Sequence, residues 1–221
     1  MTEPELQFAP PDAELSADHP EAYIARDRRR ALAASVDLPD RVAGSALFAD
    51  ISGFTPLTEA LARELGPQRG AEELTANIGR VFHAVIDELD AYGGDVIYFS
   101  GDAITCWIDG DDGLAAATAG LAMLDAIART GLIVTPGGST VQLAMKVAVA
   151  VGRARRFVVG DPDVQLIDVL AGRLIDDLAA AEHFAEKGEV ILEPSAVESL
   201  GERVMLGERR VDPASGRAYA V

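Results

Sequence analysis

The sequence predicts an α+β fold, a sandwich with helices packed against one sheet. Three observations predict it. Elements run in the order strand, two helices, hairpin, helix, strands, helix, strands. Apolar spacing switches between the helical and the strand period at glycine and proline breaks. And 49% hydrophobic content in 221 residues is enough for one substantial core. No internal repeat is evident.

Residues 1–41 read as a leader with a short basic helix, and 42–221 as one domain. Met1 to Pro20 is rich in proline and acids, lacks a sustained apolar period, and reads as disordered or loosely draped. Glu21 to Ala34 reads as a helix whose Arg26, Arg28, Arg29 and Arg30 form the one dense basic cluster. A solvated face is the expectation there, with a docking surface for an acidic domain as the alternative. Leu47, Phe48 and Ile51 are strand formers. Ser52 and Gly53 break that strand, and Thr55, with Pro56 at the first helical position, caps a helix to Leu65. Gly66-Pro67 punctuates, and Gln68 to Tyr92 follows with apolar residues at Leu74, Ile78, Val81, Val85 and Leu89, a helical spacing. Gly93-Gly94 ends it. Asp95 to Phe99 and Ala103 to Ile108 read as a hairpin, then Asp111 to Arg129 as a helix with its acids at the positive N-terminus. Thr135 to Thr140 reads as a loop, Val141 to Val151 as a buried strand and Arg153 to Val159 as the strand returning from it. Gly160 to Asp163 is a turn, Gln165 to Leu170 extended, Gly172 to Glu186 a helix, Glu189 to Leu192 a strand and Pro194 to Leu200 a short helix. Arg203 to Val211 with Ala218 to Val221 reads as a closing hairpin.

A net charge of -17 and a pI near 4.4 argue against nucleic acid or an anionic membrane surface as a partner. Cys106 is the single cysteine and lies in an apolar strand, so it reads as core in a reducing, cytoplasmic protein. No secretory leader is visible, and the most apolar window, Leu114 to Ala128, is short and interrupted by Asp125. His83 stands without a second ligand at metal spacing and reads as an ordinary histidine.

The chemistry-bearing stretch is Leu47 to Glu59, LFADISGFTPLTE. Asp50 ends a strand just before a helix start, where a carboxylate can hold a divalent cation while backbone N–H groups receive phosphate oxygens. A plain turn cap is the alternative. Asp102 sits at the tip of a hairpin turn, Ser100-Gly101-Asp102-Ala103. If the two strands are neighbours, both acids converge where a pair of metal ions clamping a triphosphate needs them.

Together FADISGFTPLTE and then YFSGDAITCW, with RGAEEL at Arg69 to Leu74 and VILEPSA at Val190 to Ala196, resemble the catalytic domain of class III adenylate and guanylate cyclases. The likeness is to the first cyclase domain of soluble, bicarbonate-responsive adenylyl cyclases and their bacterial relatives, and covers Val42 to Val221. It implies a ferredoxin-like core with a mostly antiparallel sheet, and conversion of ATP to cyclic AMP and pyrophosphate, with GTP left open. Two metal ions, Mg2+ or Mn2+, would be held by Asp50, Asp102 and the Ile51 carbonyl. Ser52, Gly53, Phe54, Thr55 and Lys146 would contact the triphosphate; for Lys146 the alternative is a charge that escapes to the sheet edge.

The resemblance also has departures. The family's transition-state asparagine and arginine fall on Asp176 and Ala180, its purine-reading positions on Tyr98 and Val169, and its bicarbonate-binding pair on Tyr98 and Ala179. The chain therefore reads as the metal and triphosphate half of a composite site, completed by a second cyclase domain in cis or trans, as a homo- or heterodimer. The alternative is a degenerate cyclase-homology module serving dimerisation or regulation. A diguanylate cyclase reading, prompted by Gly93-Gly94-Asp95, is set aside because that acid follows a helix end instead of occupying a hairpin tip.

Overall fold

The computed structural model describes residues 24–161 and 164–221. Residues 1–23 of the expected leader, and Pro162 and Asp163 of the expected turn, lie outside the described residues. The first helix, α1, is Arg26–Ala33, and strand β1 is Arg41–Ser52. Helices α2, Phe54–Leu65, and α3, Pro67–Ala91, lead to the hairpin of β2, Asp95–Ser100, and β3, Ala103–Asp109. Then come α4, Leu114–Thr130, and a small ribbon of β4, Leu132–Val134, and β5, Thr140–Gln142. Strands β6, Ala144–Asp161, and β7, Gln165–Ala171, precede α5, Arg173–Glu182. The chain closes with β8, Val190–Leu192, α6, Pro194–Leu200, β9, Arg209–Val211, and β10, Ala218–Ala220.

The main sheet runs β2-β3-β1-β6-β8-β10-β9, with β7 paired to β6. Each of its first four strands runs antiparallel to its neighbour among them, and α2–α3 and α4 make the two crossovers, which is the ferredoxin-like order. Only β8 runs parallel to its neighbour β6. Alternation along β1 and β6 divides the core in two. Leu47, Ala49 and Ile51 of β1, with Val147 and Val149 of β6, pack under α2, α3 and α4. Val42, Ala46 and Ala148 face the other way, toward Leu174 and Leu178 of α5. Cys106 is fully buried, and burial pushes its thiol far above the usual range, as a core residue.

Several boundaries differ from the sequence reading. Helix α2 begins at Phe54, with Gly53 as its N-cap at φ 106, so Pro56 is third in the helix and Thr55 makes no cap bond. A Cβ at Gly53 would come 3.0 Å from the Gln142 carbonyl, so the tight turn into α2 requires glycine. Asp111 and Asp112 precede α4, and the Asp111 carboxylate accepts from the Ala115 and Ala116 N–H groups at 3.1 Å each. Helix α5 stops at Glu182. The strand expected to return at Arg153 is instead the continuation of β6, and β7 makes the return.

Helix α1 is not a solvated basic face. Arg28 reaches Asp168 of β7 at 3.1 Å, and Arg26 pairs with Asp90 at 3.0 Å and donates its backbone N–H to the Asp95 carboxylate at 2.7 Å. Arg156 of β6, 2% exposed, bridges Asp27 and Asp168. These links tie α1 to α3, β2, β6 and β7.

Candidate functional site

The register of β1 places Asp50 opposite Ala103 on β3 and opposite Lys146 on β6. Its neighbour Ile51 donates its N–H to the Asp102 carbonyl at 3.1 Å, fixing the hairpin tip beside the end of β1. Asp50 and Asp102 thus stand at one end of the sheet, next to the start of α2. Asp102 is exposed and Asp50 half-buried. Burial raises the Asp50 pKa, and the nearby Asp102 and Glu182 carboxylates raise it further, while Lys146 opposes them.

Lys146, expected either at a triphosphate or escaping to a sheet edge, lies in an inner strand with its side chain 24% exposed. Its ammonium is 3.7 Å from Asp50 and 2.5 Å from Glu182, the last residue of α5. Glu182 is a site residue that sequence reasoning missed; it lies 132 positions from Asp50, and nothing local marks it. A second missed residue is Lys187. It lines, with Asp50, Ser52, Lys146, Ala185 and Glu186, a cleft of about 480 Å³. Lys146 and Lys187 are the only two lysines of the chain, and both face this cleft.

Of the other expected contacts, Ser52 turns its hydroxyl to the Ala144 carbonyl at 3.3 Å, so that group is engaged in the sheet. Gly53, Phe54 and Thr55 form the N-terminal edge of α2, whose first N–H groups have no partner within the helix. Phe54 also stacks on Phe82, which meets the exposed Phe99 edge-on at 5.7 Å, so an aromatic shelf borders the hairpin. Asp176 and Ala179 are exposed on α5. Asp95 is buried at the start of β2, the end of that strand away from Asp102, with Arg26 as its partner, which gives it a structural role. His83 is exposed on α3 and pairs with Asp87 at 3.7 Å.

Among the described residues no group of three or more His, Cys, Asp or Glu is arranged as a metal cage. The two carboxylates are nonetheless hard oxygen donors, and Mg2+ characteristically takes one or two protein carboxylates and fills its shell with water and substrate phosphates. The Asp50 pKa is raised first by burial and then by the Asp102 and Glu182 carboxylates, and a divalent cation beside it would offset both. The donor set fits such an ion.

No protein-family profile matches the chain. Among solved structures, the guanylyl cyclase Cya2 superposes with a TM-score of 0.65 at 21% identity, over 82% of this chain and 91% of that one. The fold is that of a class III cyclase catalytic domain. The adenylyl cyclase CyaB from P. aeruginosa matches with a TM-score of 0.62 at 21% identity, over 82% and 94% of the two chains. A bacterial light-regulated adenylyl cyclase reaches 0.70 at 16% identity, over 91% of this chain and 59% of that one. In sequence, the chain is similar to adenylate cyclase type 10 of Oryctolagus cuniculus, 28% identical over 178 residues, and to that of Homo sapiens, 27% over 153. It spans about a tenth of the length of these curated relatives, 11% and 9%. The cyclase fold therefore rests on shape and on sequence alike, and its relatives include adenylyl and guanylyl cyclases. No helix among the described residues is long and apolar enough to cross a membrane.

Proposed function

We propose that this chain is the metal and triphosphate half of a nucleotidyl cyclase, converting ATP to cyclic AMP and pyrophosphate when a second cyclase domain completes its site. The observation that carries the proposal is the convergence of Asp50, Asp102 and Lys146 at one sheet end, over a cleft lined by both lysines of the chain.

In this reading Asp50, Asp102 and the Ile51 carbonyl would hold two Mg2+ or Mn2+ ions. These would lower the pKa of the ribose 3'-hydroxyl and stabilise the leaving pyrophosphate. The protein's own part is positioning and charge. Lys146 and Lys187 draw the β and γ phosphates into the cleft, and the first N–H groups of α2, at Gly53, Phe54 and Thr55, face phosphate oxygens. No cation stands at Asp176 or Ala180 to steady the α-phosphate, so the partner supplies it; loss of one such donor costs on the order of a hundredfold or more in rate. The exposed apolar side chains Val158, Val159, Val164, Leu166 and Ile167 of the β6–β7 hairpin provide a surface for that partner, in cis or trans. The reading carries with it a cytoplasmic, nucleotide-supplied setting.

A second reading, a degenerate module serving dimerisation or regulation, is favoured by one observation. Lys146 is already neutralised by Glu182 at 2.5 Å, as in a structural ion pair. Isothermal titration of ATP and of GTP, with Mn2+ or Mg2+, into the chain and into Asp50→Asn and Asp102→Asn decides between them. The half-site predicts metal-dependent binding that both variants lose. Binding unaffected by either variant, or no binding at any metal concentration, sinks it in favour of the module.

A further inference from the structure

At the other end of β1, nine residues and about 30 Å from Asp50, three arginines share one face of the sheet. Arg41 on β1 lies directly opposite Arg155 on β6, and Arg153 stands opposite Ala43, diagonal to Arg41. Arg155 is in turn paired with Ala171 of β7. All three arginines are exposed, and with Ala43, Ala171 and Gly172 they line a cleft of about 410 Å³, within the size range of small-ligand pockets.

Like charges directly opposite each other in an antiparallel pair are destabilising, so the arrangement needs an anion. The protein provides one. Asp40 takes Arg155 in a two-bond fork, with Nε at 2.9 Å. Arg41 and Arg153 have no ion-pair or hydrogen-bonding side-chain partner among the described residues, in a chain where acids outnumber bases 36 to 19. The small side chains of Ala43 and Ala171 leave the space between the guanidinium groups open. After Asp40 is counted, two positive charges remain. A phosphoryl group carries about -1.5 to -2 at neutral pH, and guanidinium forks match its oxygens bidentately.

We infer that this cleft binds a phosphoryl dianion, free or as a monoester, at a site separate from the carboxylate pair. The inference stands independently of the cyclase reading. The test is titration of the full chain with inorganic phosphate and with glycerol 3-phosphate at constant ionic strength, followed by calorimetry and 31P line broadening. One saturable site is expected, at least tenfold weaker in the Arg41→Gln/Arg153→Gln double variant and unchanged in Asp50→Asn. Asp40→Asn, which frees Arg155, is expected to bind severalfold more tightly, a gain that misfolding cannot mimic. Tighter binding of the monoester would identify a ligand with an organic body; equal binding would identify free phosphate. The inference is overturned by the absence of saturable binding up to about 10 mM, by affinity that survives the double variant, or by binding lost in a Lys146→Met/Lys187→Met double variant, which would place the phosphate at the other end of the sheet.

Discussion

Replacing Lys146 with methionine separates its two possible roles by sign. Its ammonium lies 3.7 Å from Asp50 and 2.5 Å from Glu182, and removal leaves Asp50 facing Glu182 and Asp102 with no opposing charge from this strand. Unit charges at the Asp50 distance interact by about 4 kcal/mol in an effective dielectric near 20. With both side chains about a quarter exposed, solvent screening brings the working value to about 1 to 2 kcal/mol. A free divalent cation competes with that ammonium for the same carboxylates, so Mn2+ alone should bind Lys146→Met about tenfold more tightly. The metal–ATP complex should bind about ten- to a hundredfold more weakly, because a charge-assisted contact to phosphate is worth about 1.5 to 3 kcal/mol. Two calorimetric titrations, Mn2+ alone and ATP in saturating Mn2+, read the two numbers. If both affinities fall together, Lys146 is a structural ion-pair residue. If neither moves, the cleft is not where the nucleotide goes, and the argument for the half-site fails.

Three further outcomes test other parts of the structure. Arg156→Met leaves Asp27 without its bridge while Asp168 keeps Arg28, so we expect a loss of about 2 to 3 kcal/mol, a fall of about 5 to 10 °C in Tm, and faster amide exchange confined at first to 26–33; unchanged exchange there would refute the docking of α1. Burial raises Asp90 to about 6 against an ordinary 3.8, with Arg26 opposing. The folded state therefore holds that proton more tightly than the unfolded one, and the penalty of ionised Asp90 is complete above pH 6 and relieved as pH falls toward 3.8. Urea midpoints between pH 4 and 7 should show this slope, and Asp90→Asn should remove it. Gly53→Ala forces a Cβ to 3.0 Å from the Gln142 carbonyl at φ 106, and should lower stability by about 1 to 3 kcal/mol; an equally stable variant would show that the turn into α2 gives way freely.

The sequence made most of the sheet legible because β1 to β3 alternate or run apolar between glycine breaks, and because both acids sit on turns with strong local signatures. What it concealed was long-range. The arginines of α1 look solvated in a local window, since their partners Asp90, Asp95 and Asp168 lie 64 to 140 positions away. Glu182 and Lys187 reach the cleft only because α5 runs back along the sheet toward Asp50. Gly152 reads as a strand break, yet its neighbours pair with β1 on both sides of it, so β6 continues through. The β4–β5 ribbon was missed because each of its strands has three residues, and Leu132 and Val134 are exposed, leaving no buried period to read.

The charges around the cleft bear on metal dependence without appeal to any relative. Asp50, Asp102, Glu182 and Glu186 stand at or beside it, against Lys146 and Lys187. The C-terminal end of α5, where Glu182 lies, adds the negative end of a helix dipole. A bare triphosphate would enter a region that is already net negative, in a chain of net charge -17. On the proposed function, nucleotide binding must therefore carry its own divalent cations and depend steeply on them, with Lys146 passing from Glu182 to phosphate as they arrive. On the proposed function self-pairing is also a poor route to a complete site, because the positions that the resemblance assigns to the transition-state asparagine and arginine are Asp176 and Ala180 in every copy. A partner that supplies a cation relieves both problems at once, so on this reading the activity belongs to the pair.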